Sequence, residues 1–205
     1  MHRLYHVPAF KNRGLVGVVL LVPVVIMVCF SNPVVKEGSV LDLVTDLLGW
    51  FFFVTYATFR LWATLYLGGC KDIKVQTQGP YSVTRNPLYV GSFCLALSTS
   101  LFAKSISLSL VSLVAGAVYS QWIVRAEEEY LESEFGEEYI KYCRRTPRFL
   151  PSFSLYCSDK AIPVDLRTLK LEARRLWAAA LIPIGAEILM HLRMAPWWPR
   201  LFTLP

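Results

Sequence analysis

Two stretches of this chain carry side chains that could do chemistry on a small polar ligand. Residues 79–91, GPYSVTRNPLYVG, place Tyr81, Arg85, Asn86 and Tyr89 in a polar turn wedged between long apolar segments. Residues 125–142, RAEEEYLESEFGEEYIKY, open with Glu127 and Glu128. In that run Glu128, Leu131, Phe135, Tyr139 and Tyr142 recur at spacings of three and four, which predicts a single helical face of mixed carboxylate and aromatic character. Aromatic faces and carboxylates attract a cation, while arginine and backbone N–H groups attract a carboxylate. Together the two stretches suit a small polar cofactor that carries positive charge and an aromatic base. They suit an anionic lipid head group equally well.

A plainer account covers part of the pattern. Gly79-Pro80 supplies a turn, Asn86 is placed to cap a helix, and Pro87 fits the first helical position, where a missing N–H costs nothing. The acidic run likewise reads as a helix with a solvated side and an ordinary packing stripe.

The elements that position these residues are membrane spans. The chain has 205 residues, 55% of them hydrophobic, and its mean hydropathy is +0.44. The apolar residues come in long blocks, so the expected fold is all-α, a polytopic integral membrane protein with about five transmembrane helices. Little chain remains for a separate soluble domain, and a cofactor pocket has to be built from span ends and loops. The expected spans are 14–30, 40 to about 67, a hairpin of 87–103 and 105–124 hinged near Lys104, and a last helical pattern over 171–194. The first block has no small-residue cleavage site after it and is expected to stay as a span or anchor. Asp42 and Asp46 fall in the first turns of the second span, where carboxylates are favoured. Arg60 lies within that span and is expected either to face a partner or cavity or to snorkel to the interface. Glu187 and His191 share a face of the last helix, which either lines a cavity or lies at the interface.

The net charge of +6 gathers near the ends of apolar segments, which is the distribution that orients spans and touches anionic lipid, so nucleic-acid binding is a poor reading. The lysines and arginines before residue 14, at 68–85 and after Arg125 fall on one side, expected to be cytosolic. Arg144, Arg145 and Arg148 with Pro147 and Pro151 form a basic loop whose default role is lipid contact. The five cysteines form no CxxC pair and no zinc pattern, so neither a structural disulfide nor a metal is expected. Histidine is limited to His2, His6 and His191, so the chemistry has to proceed largely without a histidine base.

S-adenosylmethionine meets the description of the cofactor, and a resemblance supports it. Gly79-Pro80-Tyr81, Arg85-Asn86-Pro87-Leu88-Tyr89-Val90-Gly91, Glu127-Glu128, Leu131, Phe135-Gly136, Tyr139, Tyr142 and Pro147 occur in the order of the signature of the isoprenylcysteine carboxyl methyltransferase and phospholipid methyltransferase superfamily, which the chain resembles from about Arg60 to Pro151. The resemblance implies a membrane enzyme that binds S-adenosylmethionine between the two motifs, with a lipid-accessible tunnel for its substrate; the charge distribution places that pocket on the cytosolic side. It implies that Tyr81, Arg85, Asn86, Tyr89, Glu127 and Glu128 line the cofactor site, to which Gly79 and Tyr139 of the same stretches and the preceding Gln78 are added. Arg85, Glu128 and Arg145 are the expected catalytic residues. Many members have His where this chain has Asn86, and Asn keeps a hydrogen bond but carries no proton.

The expected division is residues 1–67 for N-terminal spans, 68–153 for the catalytic core and 154–205 for a linker and last helix. The expected reaction is carboxyl O-methylation of a prenylcysteine-like or other lipidic substrate, with membrane lipid as the other partner. A carboxylate acceptor needs no base, and Arg125, Arg144, Arg145 or Arg148 could orient it. The alternative is N-methylation of a phospholipid amine, for which Glu127 or Glu128 would take the proton. A nicotinamide-dependent membrane reductase and a non-enzymatic membrane scaffold are further readings.

Overall fold

The computed structural model describes residues 37–67 and 74–199, together with residues 22, 26, 29, 30 and 35. The N-terminal tail, nearly all of the expected first span at 14–30, and residues 68–73 with Cys70, Lys71 and Asp72 lie outside the described residues.

All regular structure among the described residues is helical. Helix α1 is Val40–Leu67, α2 is the single turn Pro80–Val83, and α3 is Pro87–Phe102. Helix α4, Ile106–Tyr119, continues through a π-helical turn at Ser120–Val124 into α5, Arg125–Phe135. Helix α6 is Glu137–Arg145 and α7 is Leu166–Met194. Three runs are long and apolar enough to cross a membrane by length and composition: Val40–Leu67, Ile106–Phe135 and Leu166–Met194, with Pro87–Phe102 a shorter apolar helix. Their apolar side chains point mostly outward. Leu43, Leu47, Phe51 and Val54 on α1, Leu110 and Val114 on α4, and Leu181, Ile184 and Ile188 on α7 are all exposed, an arrangement that suits lipid and not water.

Helix α1 packs most extensively on α3, and α7 lies against both. Tyr56, Cys94 and Ala179 form the layer where the three meet, flanked by Phe52, Leu95 and Leu176. At one end of the bundle Lys104, in the turn between α3 and α4, is bound by Asp42, by Asp46 at 3.2 Å and by Glu187 at 4.0 Å. At the other end the last turn of α1, the start of α3 and helices α5 and α6 come together around the polar stretches. Arg60 is paired with Glu172 of α7 at 2.5 Å and does not snorkel. His191 bonds Glu37 at 3.2 Å and stands 3.9 Å from Glu187, so that shared face meets the start of α1.

The acidic run differs from its expected form. It is broken at Gly136, whose φ of 55° and ψ of −129° end α5 and start α6. The 3–4 spacing carries on across the break, so periodicity alone did not reveal two helices. Helix α7 starts five residues before the expected 171, at the cap residue Asp165, whose side chain accepts from the Arg167 N–H at 2.9 Å.

Candidate functional site

The 79–91 stretch is held by backbone before any ligand is considered. Gly79 donates its N–H to the Cys157 carbonyl at 2.8 Å, and the Ser82 hydroxyl donates to the Gly79 carbonyl at 2.7 Å. The Arg85 N–H reaches the Pro147 carbonyl at 2.9 Å, and Ser152 N–H reaches the Val83 carbonyl at 3.0 Å. The Thr84 hydroxyl lies 3.2 Å from the Arg148 carbonyl and 3.1 Å from that of Phe149. The segment after α6 is therefore a strap over the turn, built from its backbone carbonyls.

Pro87 occupies the first position of α3, as expected. Asn86 is the residue before it and its carbonyl accepts from Tyr89 and Val90, but its side chain makes no capping bond. The amide instead donates to Glu128 Oε1 and to the Arg148 carbonyl, each at 3.1 Å. The expected cap is thus replaced by a tie to the second motif, which satisfies a buried amide that a cap would have left facing away from α5.

Glu128 is the hub. Its Oε1 is 3.4 Å from Arg85 Nη1 and its Oε2 is 3.0 Å from Arg148 Nε. One position along, Glu127 Oε2 accepts from the Tyr89 hydroxyl at 2.6 Å, a short charge-assisted bond. The Tyr142 hydroxyl donates to the Tyr81 carbonyl at 2.7 Å, so α6 clasps α2 directly. Arg85 Nη1 also donates to the Cys143 sulfur at 3.0 Å. Burial works against the charge on Arg85, but the Glu128 carboxylate and Cys143 outweigh it and hold the guanidinium above its ordinary pKa. Burial, reinforced by Glu127, pushes the Tyr81 phenol up, and burial with the neighbouring Cys143 does the same to Tyr139. These phenols are neutral hydrogen-bonding groups at physiological pH.

Between the two motifs lies a cavity of about 320 Å³. Tyr81, Arg85, Asn86, Tyr89, Glu127, Glu128 and Tyr139 all line it, as do Leu131, Phe135 and Tyr142 of the predicted face. That volume falls in the range of small-molecule sites, about 300–1,000 Å³. Gln78 and Gly79 stand elsewhere, against the 157–159 segment, where the Gln78 amide donates to Asp159 at 2.8 Å. Arg145 is exposed in the last turn of α6. Residues that sequence reasoning did not assign to the wall include Lys74, Val75, Gln76, Tyr130 and Glu134. Glu134 stands six residues after Glu128 and falls off the 3–4 series. Val75 lies in a loop with no motif to mark it.

The lining fits a cationic, aromatic cofactor by its chemistry. Glu127, Glu128 and Glu134 supply carboxylates and Tyr81, Tyr89, Phe135 and Tyr139 supply π faces. Arg85 Nε is buried without a hydrogen-bond partner in the protein and is a spare donor for an anionic group. Among the described residues no group of three or more His, Cys, Asp or Glu is placed to hold a metal ion.

A family profile described as phospholipid methyltransferase matches residues 43–138. The chain is 33% identical over 156 residues to a nickel-cobalt-cadmium resistance protein of Alcaligenes xylosoxydans xylosoxydans, covering 74% of this chain and 71% of that protein. It is 39% identical over 107 residues to a cobalt-zinc-cadmium resistance protein of Cupriavidus metallidurans, covering 52% of this chain and 49% of the relative. It is 42% identical over 82 residues to the protein-S-isoprenylcysteine O-methyltransferase of Schizosaccharomyces pombe, covering 40% of this chain and 34% of that enzyme. The chain thus spans half or less of the length of the last two. No solved structure matches the chain.

Proposed function

The chain belongs to the isoprenylcysteine carboxyl methyltransferase and phospholipid methyltransferase superfamily and is a membrane methyltransferase, and on that premise we propose that it binds S-adenosylmethionine in the cavity between its two motifs and methylates a lipidic carboxylate from the cytosolic side. The observation that carries this is the pair of links Tyr89–Glu127 and Asn86–Glu128, which bring motifs 38 and 42 residues apart in sequence onto one ligand-sized cavity.

Each residue has a role in that reading. Glu127 and the tyrosine faces attract the positive end of the cofactor, and Arg85 with its spare Nε takes its carboxylate. Glu128 holds Arg85, Asn86 and Arg148 in register and is the positioning residue of the set. When bound, the cofactor supplies an already activated methyl group, so the protein's contribution is alignment and exclusion of water. The cavity's apolar lining, Leu67, Leu88, Leu131 and Phe135, serves the second purpose. A carboxylate acceptor needs no general base, so alignment of the acceptor is the main demand on the residues described here.

Calorimetry of the detergent-solubilised full chain with S-adenosylhomocysteine tests the cofactor assignment. Binding is expected, and its absence would overturn the reading. Transfer of labelled methyl to a prenylcysteine analogue, with none to phosphatidylethanolamine, is expected for the acceptor. The reverse pattern would assign phospholipid N-methylation instead.

A further inference from the structure

The segment that joins α6 to α7 has an outer face that neither the cavity nor the closure of the turn uses. Leu150 is 84% exposed and Phe153 is 64% exposed, and Leu155 and Tyr156 beside them are exposed as well. The backbone behind these side chains is fixed. Ser152 N–H is held by the Val83 carbonyl, residues Phe153–Leu155 form a 3-10 turn, and Cys157 N–H donates to the Ser82 hydroxyl at 3.0 Å. Apolar side chains turned outward from a fixed backbone mark an interaction surface.

The depth of the segment says what that surface meets. Helix α1 has 28 residues and is about 42 Å long, more than a hydrocarbon core of about 30 Å, so its ends reach the head-group layers. Trp62 lies about 7.5 Å from the cavity end of α1, and its ring centre is 5.9 Å from that of Tyr156. The Tyr66 and Ser158 hydroxyls share a bond at 2.7 Å, and Ile162 packs against Ala63, Tyr66 and Tyr81. The segment thus runs back along the end of α1. The large exposed apolar side chains of α1 stop at Val54, and from Phe59 to Leu67 no residue is exposed. Where the segment covers α1, its own exposed apolar side chains continue the lipid-facing surface. Charge agrees with that placement. Residues 144–170 hold six basic residues against two acidic ones, and Arg144, Arg145, Lys160, Arg167 and Lys170 are exposed on either side of the apolar run. Aromatic rings flanked by lysine and arginine suit the boundary between acyl chains and anionic head groups.

We infer that residues 150–156 form a ledge seated in the bilayer interface at the cavity end, with Leu150, Phe153 and Leu155 among the upper acyl chains and the flanking basic side chains on anionic head groups. This surface is independent of the methyl-transfer reading. It makes the connection between α6 and α7 a membrane-seated element, although it is neither a span nor a helix long enough to lie amphipathically on the surface.

The test is photolabelling of the full-length protein in nanodiscs that hold one copy each. The probes are phosphatidylcholines carrying a diazirine either in the upper acyl chain, near the glycerol, or at the chain end. Trypsin releases residues 149–160 as one peptide and the lipid-facing residues 37–60 as another. The upper-chain probe is expected to label both peptides, and the chain-end probe to label 37–60 at least several-fold more than 149–160. Adding phosphatidylglycerol should raise labelling of 149–160 several-fold, and high salt should reverse the rise. Phe153→Asp combined with Leu155→Asp, both at exposed positions, should lower labelling of 149–160 several-fold and leave that of 37–60 unchanged. No labelling of 149–160 by the upper-chain probe while 37–60 is labelled would overturn the inference and leave a second copy or another protein as the occupant. Labelling that responds neither to phosphatidylglycerol in the wild type nor to the paired substitutions would overturn it as well.

Discussion

Glu128 takes part in three of the contacts that define the cavity, and its loss should be felt at all of them. Glu128→Gln keeps the shape but removes the charge that holds Arg85 and Arg148. Hydrogen bonds to charged groups contribute about 1.5–3 kcal/mol each, so S-adenosylhomocysteine affinity should fall by about tenfold to a hundredfold while the helical circular dichroism is retained. Unchanged affinity would remove Glu128 from the site. The raised phenols of Tyr81, Tyr139 and Tyr142 give a pH prediction of definite sign. A phenol whose folded pKa lies above its unfolded value stabilises the fold fully below about pH 10 and loses that contribution as pH rises towards the folded value. Spectroscopic titration should therefore show these three forming tyrosinate only as the protein unfolds, and ordinary titration of all ten tyrosines would contradict the burial described. At this scale the sequence was informative where short motifs fix neighbours, as with Asn86 and Tyr89. It was silent on Tyr142 reaching the Tyr81 carbonyl, a bond spanning 61 residues that exists only once α6 has packed. The same holds for Arg60 and Glu172, 112 residues apart, whose pairing depends on where α7 lands.

At the scale of elements, the turn before α2 is the most constrained. Gly79 has φ 60° and ψ −127°, a region open essentially to glycine, and a Cβ there would lie 2.4 Å from the Tyr66 ring. Gly79→Ala should cost about 2–4 kcal/mol from backbone strain and overpacking together, read as earlier thermal unfolding in detergent, and an unchanged transition would show that Tyr66 yields freely. The start of α7 gives a second pH dependence. Hydrogen bonds from Thr168 and from the Arg167 N–H hold the Asp165 carboxyl below its ordinary pKa. Its capping contribution is therefore present above about pH 4 and is lost as pH falls through the lower folded value. Amide exchange in the first turn of α7 should quicken in that acid range, and Asp165→Ala should remove the pH dependence. Helix positions were readable from apolar blocks long enough to span. The break at Gly136 was not, because its two helices keep the same 3–4 series across a residue whose backbone angles no pattern of side chains announces.

Over the whole molecule the charges divide into two ends. Lys104, with 2% of its side chain exposed, gathers Asp42, Asp46 and Glu187 at the end away from the cavity. The sixteen residues of α3 separate the two ends by about 24 Å. Lys104→Met should destabilise the fold by about 3 kcal/mol, the lower end of the cost of breaking a buried pair because its carboxylates are partly exposed. S-adenosylhomocysteine affinity per folded molecule should not change, and a parallel loss of affinity would show that the ends are coupled. The composition predicted a polytopic helical membrane protein, and three of the described helical runs are long and apolar enough to cross a membrane. How α7 closes against α1 and α3 was not legible, since a lipid-facing helix carries little pattern to say which of its sides is inner.

The strap over the turn carries one more implication. Pro147, Arg148 and Phe149 hold Thr84, Arg85 and Asn86 through three consecutive carbonyl oxygens. A carbonyl is present whatever the side chain, so in a library randomised at these three positions the closure of the turn is indifferent to residue identity, and the side-chain demand comes from the Arg148 guanidinium, paired with Glu128 and stacked 5.5 Å from the centre of the Phe149 ring. At Phe149 that demand is for an aromatic ring, while the carbonyl it lends to the turn is supplied by any residue.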